Sequence, residues 1–247
     1  MTADYIGEKI DILGIQVDRV TMEEALDRFE EMLESPGISL IVTPNSEILE
    51  NATKNPLLME TIGSADLVIP DGIGLVYASK MLGKPLKERV TGIDFSWNAL
   101  RRLASLGKSA YFFGSKPGIA QLAAEKAEAQ IPGLKVAGCH DGYFKEEEEG
   151  SIVEDINRSG ADFLLVALGS PKQELFVRKH QDELQPKVAI GVGGSLDVWS
   201  GSLKRAPQFY IDHGLEWLYR IIQEPKRIKR TASIPAFLIK VMKSSKR

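Results

Sequence analysis

Apolar residues in this chain recur with two different periods. Runs that are mainly apolar rather than alternating, at 38–42, 66–69, 110–113, 134–137, 163–168 and 188–192, read as buried strands. Between them, apolar residues spaced three and four apart predict amphipathic helices over about 22–35, 46–54, 56–63, 73–82, 93–106, up to 130, 146–159 and 172–182. Met22, Ala25, Leu26, Phe29 and Leu33 form one such face, and Thr21 with Glu24 offers that helix a capping box. Pro56 suits the start of another helix. Residues 9–18 read as a hairpin around Gly14. Strands without alternation are those covered on both faces, as in a parallel sheet. The alternation therefore predicts an α/β fold: a Rossmann-like, mostly parallel sheet with helices on both faces. From about 207 only helical patterns remain. This divides the chain into an α/β body, 1–203, and a basic helical C-terminal appendage, 204–247.

Charge sharpens that division. The whole chain carries a net charge of −3. Residues 204–247 hold 11 Lys and Arg against three acids, a net of +8, whereas residues 1–203 hold 20 against 31, a net of −11. At 43% hydrophobic and 26% charged the composition is that of a soluble domain. One cysteine, Cys139, makes no internal disulfide, and three scattered histidines give no metal-ligand spacing. No leader of secretory type opens the chain and no run of about 18 apolar residues occurs, so a reducing compartment and no membrane span are expected.

In an α/β sheet the carboxyl ends of the strands open onto one rim, where ligands bind. The rim turns predicted here carry Thr43 and Asn45, then Asp71, Gly114 to Lys116, Ser170 with Lys172 and Gln173, and Gly193 to Asp197. Gly lets a phosphate approach the backbone, and helix starts attract anions, so an anionic, nucleotide-like ligand fits. Each turn taken singly is equally an ordinary turn. Asp71, between Pro70 and Gly72 at a strand end, reads as a catalytic carboxylate or as the cap of the next helix. Arg89 reads as a charge for a leaving group or as one half of a surface ion pair with Glu88 or another acid. Gln173 reads as an amide for a sugar hydroxyl or as a solvated residue of a first helical turn. Neither Gly-x-Gly-x-x-Gly nor Gly-x-x-x-x-Gly-Lys-[Ser/Thr] is present, which argues against dinucleotide oxidoreductases and P-loop enzymes. Asp-x-Asp is also missing, so metal-independent chemistry is expected, with no cofactor and with Arg or Lys meeting leaving-group charge.

The appendage joins apolar and basic residues. Leu215, Trp217, Leu218, Ile221 and Ile222 line one helical face beside Arg220, and Arg227 and Arg230 are three apart. Residues 234–243 set Phe237, Ile239, Val241 and Met242 among Lys240 and Lys243. That pattern suits an anionic membrane surface, with apolar groups in the acyl boundary. The alternative, which the pattern favours less, is a helix pair packed on the body with a solvated basic face. Nucleic acid is disfavoured, because few aromatics stand near the cations. An apolar strip on the body suits a homodimer or the appendage.

Seven motifs in order resemble the WecG/TagA/CpsF glycosyltransferases (glycosyltransferase family 26). They are Thr43-Pro44-Asn45, Val68-Ile69-Pro70-Asp71-Gly72, Glu88-Arg89-Val90-Thr91-Gly92, Asp141-Gly142-Tyr143-Phe144, the run from Ala167 to Glu174, the run from Gly191 to Asp197, and Gly214-Leu215-Glu216-Trp217-Leu218-Tyr219-Arg220. The likeness is greatest to the TagA branch of N-acetylmannosaminyltransferases. It implies an inverting, metal-independent transfer of ManNAc from UDP-ManNAc to undecaprenyl-diphosphate-GlcNAc, with a β-1,4 bond, in wall teichoic acid linkage-unit synthesis. It also implies a peripheral position on the cytoplasmic face of the cell membrane. By the same resemblance Asp71 is the catalytic base. Thr43, Asn45, Arg89 and Gln173 are further active-site residues. Arg220, Arg227 and Arg230 complete the site over the diphosphates. Tyr143, Gly193, Gly194 and Asp197 border the substrate. A relative using UDP-ManNAc uronic acid or UDP-glucose is the near alternative, and a non-catalytic nucleotide- or lipid-binding module the distant one.

Overall fold

The computed structural model describes residues 7–223 and 233–244. It opens on an antiparallel hairpin, β1 (Lys9–Ile12) and β2 (Ile15–Asp18). Leu13 and Gly14 form its two-residue turn, both with positive φ, the geometry that matches strand twist in a tight hairpin. Then follow α1 (Met22–Leu33), β3 (Ser39–Val42), α2 (Ser46–Ala52), α3 (Pro56–Gly63), β4 (Leu67–Val68), α4 (Ile73–Met81) and α5 (Gly92–Ser105). The second half holds β5 (Ser109–Gly114), α6 (Ile119–Gln130), β6 (Lys135–His140), α7 (Glu149–Ser159), β7 (Phe163–Ala167), α8 (Lys172–Lys179) and β8 (Val188–Gly191). The body ends with α9 (Ser195–Trp199), and the tail holds α10 (Gln208–Asp212), α11 (Glu216–Gln223) and α12 (Ser233–Ser244).

Strands β3 to β8 form one sheet in the order β4-β3-β8-β7-β5-β6, and every pairing is parallel. The Rossmann-like reading holds. Strands β7 and β8 are buried at every residue, because helices cover both faces, while β6 at the edge is partly open. Beneath one face Phe29 packs on Phe95 and Phe163, with ring centroids 6.3 and 4.7 Å away. Tyr111, Phe113, Ile152 and Phe176 belong to a second core. The capping box of α1 forms as its sequence predicts, with Thr21 accepting from the Glu24 amide. Edge strand β4 is short, and the outward amide of Val68 donates to the buried Asp18 Oδ2 at 2.8 Å. Lys9 and Arg28 lie 3.4 and 3.7 Å from the other oxygen of that carboxylate.

Two expectations change. Residues 193–197 read as a turn, yet Ser195 opens the short helix α9, because Gly193, with a φ of 51°, and Gly194 complete the turn between them. The second change concerns α12, read as an interfacial helix. It packs on α2 and α4, and its Phe237 and Val241 are fully buried with Leu49, Leu75 and Ala78 in the core that also covers the hairpin. Those two side chains serve the protein's own interior. Ile239 and Met242, by contrast, remain about half exposed beside Lys240 and Lys243. Among the described residues no helix is long and apolar enough to cross a membrane. Phe237→Ala is expected to cost about 3–5 kcal/mol of stability, read by urea unfolding of the full chain. A loss under about 1 kcal/mol would place α12 outside the cooperative core.

Candidate active site

Turns from the carboxyl ends of the strands surround a cleft of about 560 Å³, a volume suited to a small-molecule ligand. Its first wall comes from β3, β4 and the start of α5. The Asp71 amide donates to the Pro44 carbonyl at 3.0 Å, which ties the two rim turns together. Gly72, with a φ of 91°, is the N-cap of α4 and supplies no side-chain cap. Asp71 therefore does not cap the helix that follows it. Its Oδ2 instead accepts from the Gly92 amide at 3.4 Å, across the cleft floor at the start of α5. That helix is capped by Thr91, whose Oγ1 accepts from the Asp94 amide.

Thr43 and Asn45 stand beside this carboxylate. Thr43 Oγ1 donates to the Gly191 carbonyl at 3.2 Å, fastening β3 to the end of β8. A Cβ on Gly92 would lie 2.9 Å from the same Oγ1, so α5 starts this close to β3 only because residue 92 is glycine. Asn45 caps α2, its Oδ1 accepting from the Ile48 amide at 3.0 Å, and it also lines the cleft.

The opposite wall comes from β5, β6 and β8. Ser115 Oγ donates to Asp197 Oδ2 at 2.6 Å and joins the turn after β5 to α9. The Gly142 amide donates to the Ser115 carbonyl at 2.8 Å, which brings Tyr143 to the mouth, 69% exposed. Gly193, Gly194 and Lys116 complete this side. Gln173 lines the cleft but is not the solvated first-turn residue that one of its sequence readings gave. It is buried, and both ends of its amide are bonded inside the protein: Nε2 donates to Glu174 Oε1 at 2.9 Å, and Oε1 accepts from the Gly193 amide at 3.1 Å. The reason is tertiary, since α8 begins directly under the end of β8.

The tail closes the third side. Glu216 and Trp217 of α11 line the cleft, and Glu216 pairs with Arg89. Arg89 Nη1 also donates to the Ile211 carbonyl at 3.1 Å, while its buried Nε has no hydrogen-bond partner among the described residues. The ion-pair reading of Arg89 thus holds, but with an acid 127 residues away. Glu88 instead accepts from the Met22 amide at 2.8 Å. Sequence reasoning passed over Glu216 and Glu174 as functional residues, although both lie inside the quoted motifs. Arg227 and Arg230 fall outside the described residues, and Arg220 is placed on α11 by its backbone alone. Among the described residues no group of three or more His, Cys, Asp and Glu converges to hold a metal ion. The cleft combines one carboxylate on a rigid strand end, an arginine on the rim and a glycine-rich wall. That set suits deprotonation of a hydroxyl beside an anionic ligand.

Known proteins resemble this chain in sequence over most of its length. The family model described as "Glycosyl transferase WecG/TagA/CpsF family" matches residues 10–247. A protein of Bacillus spizizenii is 40% identical over 205 residues, 83% of this chain and 79% of its own length. One of Staphylococcus aureus strain MRSA252 is 33% identical over 241 residues, 97% of this chain and 94% of its own. Both bear the name N-acetylglucosaminyldiphosphoundecaprenol N-acetyl-beta-D-mannosaminyltransferase. A match running from the first hairpin through both cleft walls and the tail makes this chain a member of the WecG/TagA/CpsF family of glycosyl transferases.

Proposed function

We propose that this protein transfers N-acetylmannosamine from UDP-ManNAc to a polyprenyl-diphosphate-linked GlcNAc, with Asp71 as general base. The acceptor and the sugar follow the names of the two relatives. The observation that carries the mechanism is the placement of Asp71, held on a strand end and facing the cleft rather than capping α4. Its carboxylate takes the proton of the acceptor hydroxyl as that oxygen attacks the anomeric carbon. The bond from that carbon to the UDP oxygen breaks on the opposite face, so configuration inverts and UDP leaves as the anion. Arg89 and Lys116 on the rim, joined by Arg220, Arg227 and Arg230, offset the charge on the diphosphate without a metal. Thr43 and Asn45 hold the wall beside the base, and Tyr143 and Asp197 border the nucleotide. Because Arg89 is already paired with Glu216, a bound diphosphate competes with that carboxylate for it.

The acceptor is lipid-linked, so the protein works at the inner membrane surface without spanning it. Ile239 and Met242, exposed beside Lys240 and Lys243 on α12, support this reading, and Tyr77 and Met81 are exposed on the neighbouring α4. Wall teichoic acid linkage-unit synthesis is the process this reaction serves.

Asp71→Asn is expected to lower transfer by about 10²–10⁴-fold, read as UDP release with lipid-linked GlcNAc, while UDP binding stays within about twofold. Near-normal turnover would remove Asp71 from the mechanism. Across UDP-ManNAc, UDP-ManNAc uronic acid and UDP-glucose with one acceptor, UDP-ManNAc is expected to lead in kcat/KM by about tenfold or more. A different leader would reassign the donor. Ile239→Ser combined with Lys243→Glu spares the buried Phe237 and Val241. It is expected to weaken binding to phosphatidylglycerol vesicles by about tenfold and to leave turnover of a short-chain acceptor intact. Unchanged vesicle binding would take α12 out of membrane contact.

A further inference from the structure

Glu174 neighbours Gln173 in the first turn of α8, yet it is 3% exposed. Burial raises its pKa above the ordinary carboxylate value. Its Oε1 accepts from Gln173 Nε2 in a bond of ordinary geometry; Oε2 makes none of that kind among the described residues, and the Ser170 hydroxyl and the residue's own amide are the carboxyl's looser polar neighbours. A buried carboxyl with a single firm hydrogen bond is a poor device for stability. Its use lies in what the paired oxygen does.

The two ends of a glutamine amide are nearly the same shape, and its neighbours decide which way it points. With Glu174 Oε1 as acceptor, Nε2 of Gln173 turns toward it, and Oε1 of Gln173 turns toward the Gly193 amide, 3.1 Å away. A reversed amide would set N–H against N–H at the cleft wall. The amide is packed close against the strand end: a Cβ on Gly191 would lie 2.4 Å from Gln173 Nε2, so only glycine at 191 admits it there. It rests on bare backbone at the end of β8, wedged between Glu174 and the turn.

We propose that Glu174 is a positioning residue: by fixing the direction of the Gln173 amide it holds the Gly193–Gly194 turn inward, in the shape that receives the donor's diphosphate. The identity of that ligand rests on the function proposed above; the relay from Glu174 to Gly193 does not. Gln173 then acts on the substrate through the turn it holds.

The test uses the full chain and the variants E174Q, E174L, Q173E and Q173E/E174Q. Hydrogen exchange of the Gly193 amide is measured by NMR relative to the core amides of β8, alongside UDP affinity by calorimetry and kcat and KM for the donor. E174Q retains an acceptor oxygen and is expected to keep Gly193 protected. E174L is expected to speed its exchange about tenfold, the worth of one buried hydrogen bond, and to raise KM by a like factor with a smaller change in kcat. In Q173E two carboxyls face one another, and UDP binding weakens. Adding E174Q supplies an amide donor to the new carboxylate and restores binding. Wild-type Gly193 protection in E174L, or a double variant no better than Q173E, would overturn the proposal. If Gly193 protection follows the expected pattern while the wild type itself binds no UDP, the positioning role stands and the proposed donor is wrong.

Discussion

The contact between Thr43 and Gly92 sets the geometry on which the cleft depends. A parallel sheet delivers every strand end to one rim, but it does not by itself bring a helix start against a neighbouring strand end. Here the start of α5 lies against Thr43, and Thr43 in turn is bonded to the carbonyl of Gly191. Three segments distant in sequence are thereby locked at one point. The amide that meets Asp71 belongs to this junction. A side chain at residue 92 would push α5 away and take with it the partner that orients the carboxylate.

Around that junction the two walls have different physical characters. The wall bearing Asp71 is built on strand ends and helix caps, where backbone and side-chain bonds fix each residue. The wall bearing Gly193 is held from behind, by an amide and a carboxyl that are both buried. The tail adds a third contribution through charge. Glu216 brings a negative group to Arg89 in a body that is already acidic, while most of the tail's residues with charge are basic. An anionic ligand entering the cleft therefore meets an arginine already neutralised by Glu216 and has to compete with that carboxylate for it.

Much of the fold was legible in the sequence because continuous apolar runs and helical periods are local signals. The hairpin, the capping box of α1 and the six strands follow from neighbouring residues. What stayed hidden depends on partners far along the chain. The pairing of Arg89 with Glu216 and the bond from Gly193 to Gln173 are tertiary, and no spacing announces them. Asp71 was legible as a strand-end carboxylate, but the choice between cap and cleft needed the conformation of Gly72. The amphipathic pattern of α12 is the same whether its apolar face meets lipid or protein, so the burial of Phe237 could not be read from it. The short α9 was masked by two glycines that look like a longer turn.

The bond from Val68 to Asp18 has a consequence for how copies of this protein meet. The outer edge of β4 is short, its outward amide is occupied, and a buried carboxylate with two basic neighbours sits where another strand would have to lie. That edge cannot be lengthened by a strand from a second molecule, the commonest route by which sheets fuse and aggregate. Association on this side has to proceed through helical surfaces, which can separate again without unpicking a backbone ladder.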